Sequence, residues 1–305
     1  MNQQILVPLD GSALAESVLP QVAELSRRLG ARVILLRAAW AHTLPGFDQG
    51  EAQLQAVREA EQYIATVEAR LQAQGIAAVE TSVWYADPVS AILEHAAWHQ
   101  VDLIAMSSHG RGGVERLFLG SVATKVLQQS NVPVLLHRPL LADADSASGG
   151  RYRRILVPLD GSELAETVLP KVVALAKGMA AEIILLRVVP PHVLADHSLT
   201  TARKTLARER LNAMEYLEHV QRHLSEQGVV ARWIMRAGSP AEQIVAAANQ
   251  QAADLIAMST HARSAVGRLI RGSVADAVVR SAVVPMLLMR SVGATADNLV
   301  ANQQT

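Results

Sequence analysis

Two nearly identical stretches constrain the fold of this chain more than any other feature of its sequence. Residues 5–20 read ILVPLDGSALAESVLP and residues 155–170 read ILVPLDGSELAETVLP, with only two differences. Residues 102–109, DLIAMSSH, return as DLIAMSTH at residues 254–261. Chance does not produce such agreement, so the sequence predicts a tandem duplication of one folding unit.

The chain is long enough for each copy to have a core of its own, since it contains 305 residues. Residues 141–150, LADADSASGG, are small and polar, as is typical of a flexible linker. We therefore predict a first domain at residues 1–140, a linker at 141–151, a second domain at 152–291 and a loose tail at 292–305.

Each copy alternates between two kinds of pattern. Runs such as ILVPL and RVILLRAA are continuously apolar, which is typical of parallel strands covered on both faces. The segment between them, LAESVLPQVAELSRRLG, has helical spacing and ends on Gly30, a residue that commonly terminates helices. This alternation predicts an α/β fold with a doubly wound parallel sheet in each copy. Such sheets bind ligands beyond the carboxyl ends of their strands, where the strand order reverses.

The segment at residues 107–121, SSHGRGGVERLFLGS, joins an apolar run to a helical pattern. The run VDLIAM precedes it and VATKVLQQS follows it, so a strand leads through a glycine-rich loop into a helix. The free N–H groups and positive dipole end of a helix attract phosphate, and glycine lets the backbone approach it closely. A similar segment, STHARSAVGRLIRGS, occupies residues 259–273. The sequence therefore predicts two nucleotide-binding modules.

Composition and missing motifs exclude several other classes of protein. The chain has no net charge and few aromatic residues, which disfavours a nucleic-acid partner. It lacks the roughly 18 consecutive apolar residues of a membrane span, a signal-peptide pattern and cysteine, so we expect a cytoplasmic protein without a membrane partner. We assign no catalytic or metal-ligating residue, because GxxxxGK[ST], GxSxG and HExxH are all missing. Enzymatic activity beyond weak ATP hydrolysis is not expected.

The opening ILVPLDGS, the loop SSHGRGG and the Gly-Ser pair ten residues after Gly110 resemble the universal stress protein family. The resemblance covers both copies. It implies two tandem five-stranded parallel sheets of order 3-2-1-4-5, the fold called adenine nucleotide alpha hydrolase-like. It also implies ATP binding, with or without Mg²⁺, through the pattern Gly-x2-Gly-x9-Gly-Ser/Thr that follows the fourth strand in nucleotide-binding members.

The resemblance assigns a nucleotide site to each copy. In copy one, the candidate residues are Pro8, Asp10, Ala38, Met106, Ser107, His109, Gly110, Arg111, Gly120, Ser121 and Val122. In copy two, they are Pro158, Asp160, Val188, Met258, Ser259, Ala262, Arg263, Gly272, Ser273 and Val274.

Three of these positions depart from the family pattern. Ser107 and Ser259 replace its first glycine, which is a mild change because serine is small and keeps its N–H. Ala262 replaces its second glycine, and alanine costs roughly 1 kcal/mol or more if that position needs a positive φ. We therefore expect copy one to bind nucleotide better than copy two.

Several candidate residues have alternative interpretations. The glycines after residue 109 are also ordinary turn residues, and Asp10 and Asp160 are placed to cap the next helix. We interpret His109 and His261 as loop hydrogen-bonding groups rather than general bases, since no carboxylate is placed to orient them. His pairs at i, i+4 spacing suit zinc, but we interpret them as exposed positions on helices. These pairs are His95 with His99 and His219 with His223.

Three functions remain open from the sequence. The first is an ATP-binding universal stress protein that acts as a regulatory or sensory binder in the stress response. The second is a slow ATPase or nucleotidyl-transfer enzyme, and the third is a nucleotide-free dimerisation module. The resemblance also implies that the copies pair within the chain through their last strands, at residues 132–138 and 284–290, which leaves room for a further homodimer.

Overall fold

The fold is described by a computed structural model of the chain, which covers residues 3–39, 49–108, 119–138, 150–189, 199–261 and 273–291. Strands and helices alternate throughout these residues. The strands are β1 (Gln4–Pro8), β2 (Arg32–Ala38), β3 (Val79–Trp84), β4 (Leu103–Ser107), β5 (Val134–His137), β6 (Arg154–Pro158), β7 (Glu182–Val189), β8 (Ala231–Ala237), β9 (Leu255–His261) and β10 (Met286–Ser291). The helices are α1 (Ala13–Glu16), α2 (Leu19–Leu29), α3 (Gln49–Ala73), α4 (Pro88–Trp98), α5 (Ser121–Gln129), α6 (Glu163–Glu166), α7 (Leu169–Met179), α8 (Leu199–Glu226), α9 (Pro240–Gln250) and α10 (Ser273–Ser281).

The strands of both copies form one sheet in the order β3-β2-β1-β4-β5-β10-β9-β6-β7-β8. Strands within each copy are parallel, and their order is 3-2-1-4-5, so the predicted fold class is confirmed. The two five-stranded halves meet where β5 pairs antiparallel with β10, and Leu135 lies opposite Leu287. The central joint of the sheet therefore lies between the last strands of the two halves.

Alternate residues of each strand face two apolar layers. Ile5 and Val7 of β1 face the layer formed by α1, α2 and α3, whereas Leu6 faces the layer formed by α4 and α5. Each layer extends into the second half without interruption, through α6, α7 and α8 on one face and α9 and α10 on the other. Burial on both faces explains why the strands read as continuous apolar runs.

Two helix ends follow the sequence pattern closely. Gly30 ends α2 in the left-handed conformation, with φ of 64°, as its position predicted. Asp87 precedes α4, and its carboxylate accepts hydrogen bonds from the N–H groups of Val89 and Ser90 at 3.0 and 3.2 Å. Pro88 then occupies the first helical position, where a missing N–H costs nothing. Among the helices that the structure describes, none has the length and apolar character that crossing a bilayer requires.

Candidate functional site

The strand order reverses next to β1, which pairs with β2 on one side and β4 on the other. The ends of these strands therefore converge at one edge of the sheet. Met106, near the end of β4, is only 5% exposed and belongs to the apolar layer beneath α4 and α5. Ala38 at the end of β2 and Val122 in the first turn of α5 pack against the same layer. The apolar candidates Ala38, Met106 and Val122 thus pack on the same face of the sheet, and their contact with a nucleotide stays a prediction.

Helix α5 begins without a side-chain cap, because its N-cap residue is Gly120. The backbone of Gly120 is extended (φ −57°, ψ 151°), and its N–H donates to the carbonyl oxygen of Ser108 at 2.8 Å. Ser121 is the first helical residue, so its hydroxyl does not lie at the N-cap position. By contrast, the hydroxyl of Ser12 caps α1 and the carboxylate of Asp87 caps α4. The first-turn N–H groups of α5 therefore form a donor-rich site that suits an anion.

The Asp10 carboxylate shapes the turn between β1 and α1. Its Oδ1 accepts hydrogen bonds from the N–H and hydroxyl of Ser12 at 2.9 and 2.6 Å. Gly11 between them has φ of 82°, which glycine adopts without strain. Asp160 accepts the same two bonds from Ser162 at 2.9 and 2.5 Å. The alternative role of these aspartates, in shaping the start of the next helix, is thus present in both halves, and nucleotide contact stays a prediction.

The equivalent serines that end the fourth strand of each half have different surroundings. Ser107 is 7% exposed, and its hydroxyl has no hydrogen-bond partner among the described residues. The hydroxyl of Ser259 lies 2.8 Å from that of Thr167. Strand alternation directs both side chains toward the layer that contains α1 and α6, away from Met106 and Met258. Only the backbone of these serines is therefore available to a ligand on the α5 side of the sheet.

An open cleft of ≈ 610 Å³ lies at the same edge of the first half. It is bounded by the ends of β1 and β2, by α3 and by the start of α4, and its lining includes Ala38 together with Arg37 and Tyr63. Its volume falls within the roughly 300–1,000 Å³ of typical ligand pockets. Of the candidate residues that the structure describes, Ala38 lines the cleft, whereas Pro8, Met106 and Val122 do not.

A hydrogen-bonded tyrosine supports one wall of this cleft. The Tyr63 hydroxyl donates to Glu16 Oε1 at 2.9 Å, and the Arg37 guanidinium lies 5.6 Å from the Tyr63 ring centre. Burial, together with the Glu16 carboxylate, raises the pKa of Tyr63 well above its usual range, so the phenol stays protonated and donates. The sequence analysis missed this pair, although Glu166 and Tyr216 repeat it in the second half at 2.8 Å. Comparison of the two copies beyond their longest matches would have revealed it.

The second half assembles the equivalent apolar group. Met258 is 7% exposed, and Val188 and Val274 pack against the same layer. Pro158 ends β6 and Asp160 lies two residues beyond it, as Pro8 and Asp10 do at the end of β1. Ser273 begins α10, as Ser121 begins α5. The remaining candidates lie outside the described residues: His109, Gly110, Arg111, Ala262, Arg263 and Gly272.

The prediction that the spaced histidines are exposed is wrong for His95. Its side chain is 1% exposed, and neither ring nitrogen has a hydrogen-bond partner in the described part of the chain. The ring stacks on that of His99 at 4.1 Å and meets the edge of Trp84 at 5.4 Å. Burial, with a smaller contribution from His99, lowers the pKa of His95 to about 4. Within the described residues, no cluster of three or more His, Cys, Asp or Glu is arranged to hold a metal ion.

These features define a class of protein. Two doubly wound domains are fused edge to edge, and in each a helix begins after the fourth strand, next to the point where the strand order reverses. The model of the Universal stress protein family matches residues 1–138 and again residues 151–290. The chain belongs to the universal stress protein family, as the sequence motifs indicated.

Individual relatives agree with this assignment. Universal stress protein MJ0531 of Methanocaldococcus jannaschii is 32% identical over 143 residues, which cover 46% of this chain and 82% of that protein. Universal stress protein Rv2005c of Mycobacterium tuberculosis is 22% identical over 212 residues, or 70% of this chain and 69% of that protein. A solved universal stress protein from Archaeoglobus fulgidus superimposes with a TM-score of 0.71 at 22% identity, covering 94% of this chain and 96% of that one. The two-domain fold is therefore shared over almost the whole chain.

Proposed function

We propose that this chain is an ATP-binding regulatory protein of the universal stress type, with its better site in the first half. The nucleoside would lie against Pro8, Ala38 and Met106, and the phosphates would lie at the start of α5. Occupancy would change the surface that partner proteins contact. The proposal is one of binding and signalling, since no residue is assigned to activate a nucleophile.

One observation carries the proposal: α5 begins after Gly120 with no side-chain cap, and Val122 of its first turn packs against the apolar layer that contains Met106. A helix N-terminus without a side-chain cap attracts phosphate. The cleft beyond Ala38 leaves space for the rest of the nucleoside. The family motif at Gly110, Gly120 and Ser121 supports the same ligand.

We propose the finer features of the protein on the same basis. The domains would divide at residues 140–152, pair through β5 and β10 in solution, and work in the cytoplasm, either as a monomer or as a further homodimer. The second site would be the weaker one, because Ala262 replaces a motif glycine.

The proposal is tested first by mass spectrometry of small molecules released from the purified protein, and then by calorimetric titration with ATP, with and without Mg²⁺. Gly120→Val should weaken site one by more than about tenfold, because its branched side chain would cover the first-turn N–H groups. The variant should fold, since the backbone of Gly120 is one that valine adopts readily.

Ala73→Val is the matched control, because it adds bulk at an exposed residue that ends α3, away from the cleft. Its binding should equal that of the unmodified chain. An unmodified chain that binds no adenine nucleotide, or a Gly120→Val variant with undiminished affinity, would overturn the proposal.

A further inference from the structure

Two arginines cross the joint between the halves. Arg138, just after β5, donates through Nη1 to the carbonyl oxygens of Val279, Arg280 and Ala282 at 2.7, 3.1 and 2.8 Å. All three carbonyls lie at the end of α10, in the other half. The side chain of Arg138 thus reaches across the antiparallel joint to the opposite half.

The reciprocal contact is made by Arg290 of β10. Its Nη1 donates to the carbonyl oxygen of Gln128 at 2.9 Å, and its Nη2 donates to the side-chain oxygen of Asn131. Gln128 lies in the last turn of α5, in the first half. Each half therefore supplies an arginine to the C-terminal end of the last helix of the other half.

These contacts have a direct physical basis. The last four carbonyls of a helix have no partner within it, and a cation there interacts favourably with the helix dipole. A guanidinium presents several N–H donors in a fixed plane. It therefore fixes the position of a helix end through hydrogen bonds, in addition to the favourable effect of its charge. The side chain of Arg138 is partly buried, and this burial lowers its pKa.

The helices held in this way are the two whose N-termini are the proposed phosphate sites. α5 has nine residues, so its two ends are only about 14 Å apart and the helix moves as one rigid element. We propose that Arg290 is a positioning residue for the ligand site of the first half, and that Arg138 is a positioning residue for that of the second half. This inference rests on the proposed function.

Strand pairing links each arginine to the end of the fourth strand in its own half. The backbone of Arg290 pairs with Thr260 at the end of β9, the strand that leads into the second site. Likewise His137, the neighbour of Arg138, pairs with Ser107 at the end of β4. A displacement at the end of β9 therefore reaches Arg290, which holds α5 at the first site. A displacement at the end of β4 likewise reaches Arg138, which holds α10 at the second site. These contacts couple the two sites.

The test uses the crossed arrangement of these contacts. Arg290→Met and Arg138→Met keep the aliphatic stem and remove the guanidinium. With site two blocked by Gly272→Val, Arg290→Met should weaken ATP binding at site one by about three- to tenfold, whereas Arg138→Met should leave it unchanged. With site one blocked by Gly120→Val, Arg138→Met should weaken ATP binding at site two, whereas Arg290→Met should leave it unchanged. Arg290→Lys should restore part of the affinity of site one, because it keeps the charge.

A second readout does not depend on nucleotide. Hydrogen exchange should be faster by several-fold in residues 121–129 of the Arg290→Met variant and in residues 273–281 of the Arg138→Met variant. A role confined to the stability of the joint would instead accelerate exchange on both sides of β5 and β10 in either variant.

The outcomes separate the two proposals. Crossed effects on both exchange and binding support the positioning role. ATP binding without crossed effects overturns this inference and leaves the proposed function intact. Crossed exchange in a chain that binds no ATP overturns the proposed function, and the assignment of these arginines to ligand sites fails with it.

Discussion

The two halves differ most where their third strand packs against the following helix. In the first half this corner is aromatic: Trp84 of β3 meets the edges of His95 and Trp98 of α4, each at 5.4 Å between ring centres. In the second half, the equivalent residues Arg236 and Gln250 form a hydrogen bond. The space between the third strand and the following helix is thus occupied by aromatic rings in the first half and by polar side chains in the second.

This contrast shows which parts of the duplicated unit were free to diverge. The Glu16–Tyr63 pair at the strand ends is repeated as Glu166–Tyr216, whereas the corner far from the joint has changed its chemistry. In the second half, the position equivalent to His95 is Ala247 of α9, which is fully buried and has no ionisable side chain. Only the first half therefore buries an ionisable ring at this corner.

The largest expected effect of this difference is on acid stability. Unfolding returns the pKa of His95 from about 4 to its ordinary 6.5, so the unfolded chain binds a proton that the folded chain does not. The free energy of unfolding should therefore fall as the pH drops from about 6.5 to about 4, by roughly 3 kcal/mol from this group, with little further loss below. The charged and titratable groups that act on His95 are His99, which disfavours its protonation, and Glu80 of β3, which favours it.

Urea unfolding at pH 7 and pH 5 measures this contribution. His95→Leu should remove it, since leucine is apolar, similar in bulk and does not titrate. His223→Leu is the matched control at an exposed histidine and should retain the pH dependence of the unmodified chain. Equal pH dependence in both variants would show that the buried ring does not distinguish the halves.

A smaller difference is expected at the serines that end the fourth strands. Ser259→Ala should cost about 1 kcal/mol of unfolding free energy, because it removes the hydrogen bond between the hydroxyls of Ser259 and Thr167. Ser107→Ala should be neutral or slightly stabilising, because the buried Ser107 hydroxyl has no partner among the described residues. Denaturant midpoints of the two variants without nucleotide make the comparison. A greater loss at Ser107 than at Ser259 would contradict it.

The smallest effect is expected where the second helix of each half ends. Ala180 has φ of 52° at the position that Gly30 occupies with φ of 64°. Alanine is strained in this conformation, so Ala180→Gly should stabilise the chain by about 0.5 kcal/mol and Gly30→Ala should destabilise it by a similar or larger amount. Thermal unfolding of the reciprocal pair measures both changes. Loss of stability in Ala180→Gly would mean that the side chain of Ala180 contributes packing that outweighs the strain.

Much of the fold could be predicted from local patterns. The continuous apolar runs and the Gly30 helix end depend on short stretches of chain, and each appears where the pattern indicated it. The duplication predicted two similar units because equivalent residues meet equivalent neighbours. The resemblance also assigned Ala38, Met106 and Val122 to a nucleotide site; the structure packs them on one face of the sheet, and their role there stays a prediction.

Other features depend on residues far apart in the chain. His95 was expected to be exposed because helical spacing alone does not show which face of α4 is covered, and Trp84 reaches that face only through the sheet. The use of Gly120 rather than Ser121 as N-cap depends on the extended conformation that Gly120 adopts after its N–H bonds Ser108. The reach of Arg290 to Gln128 spans 162 positions, so no local pattern could indicate it.

The sequence by itself determined that the chain is a duplicated α/β protein, because strand burial, helix periodicity and the repeated motifs are encoded within each copy. The family resemblance implied that the copies pair through their last strands, but only the tertiary structure decided the antiparallel register of β5 with β10, since it joins edges that are distant in sequence. The same joint placed Arg138 and Arg290 on the helices of the opposite halves. Hydrogen bonds across such a joint depend on three-dimensional proximity, which the order of residues in one copy does not specify.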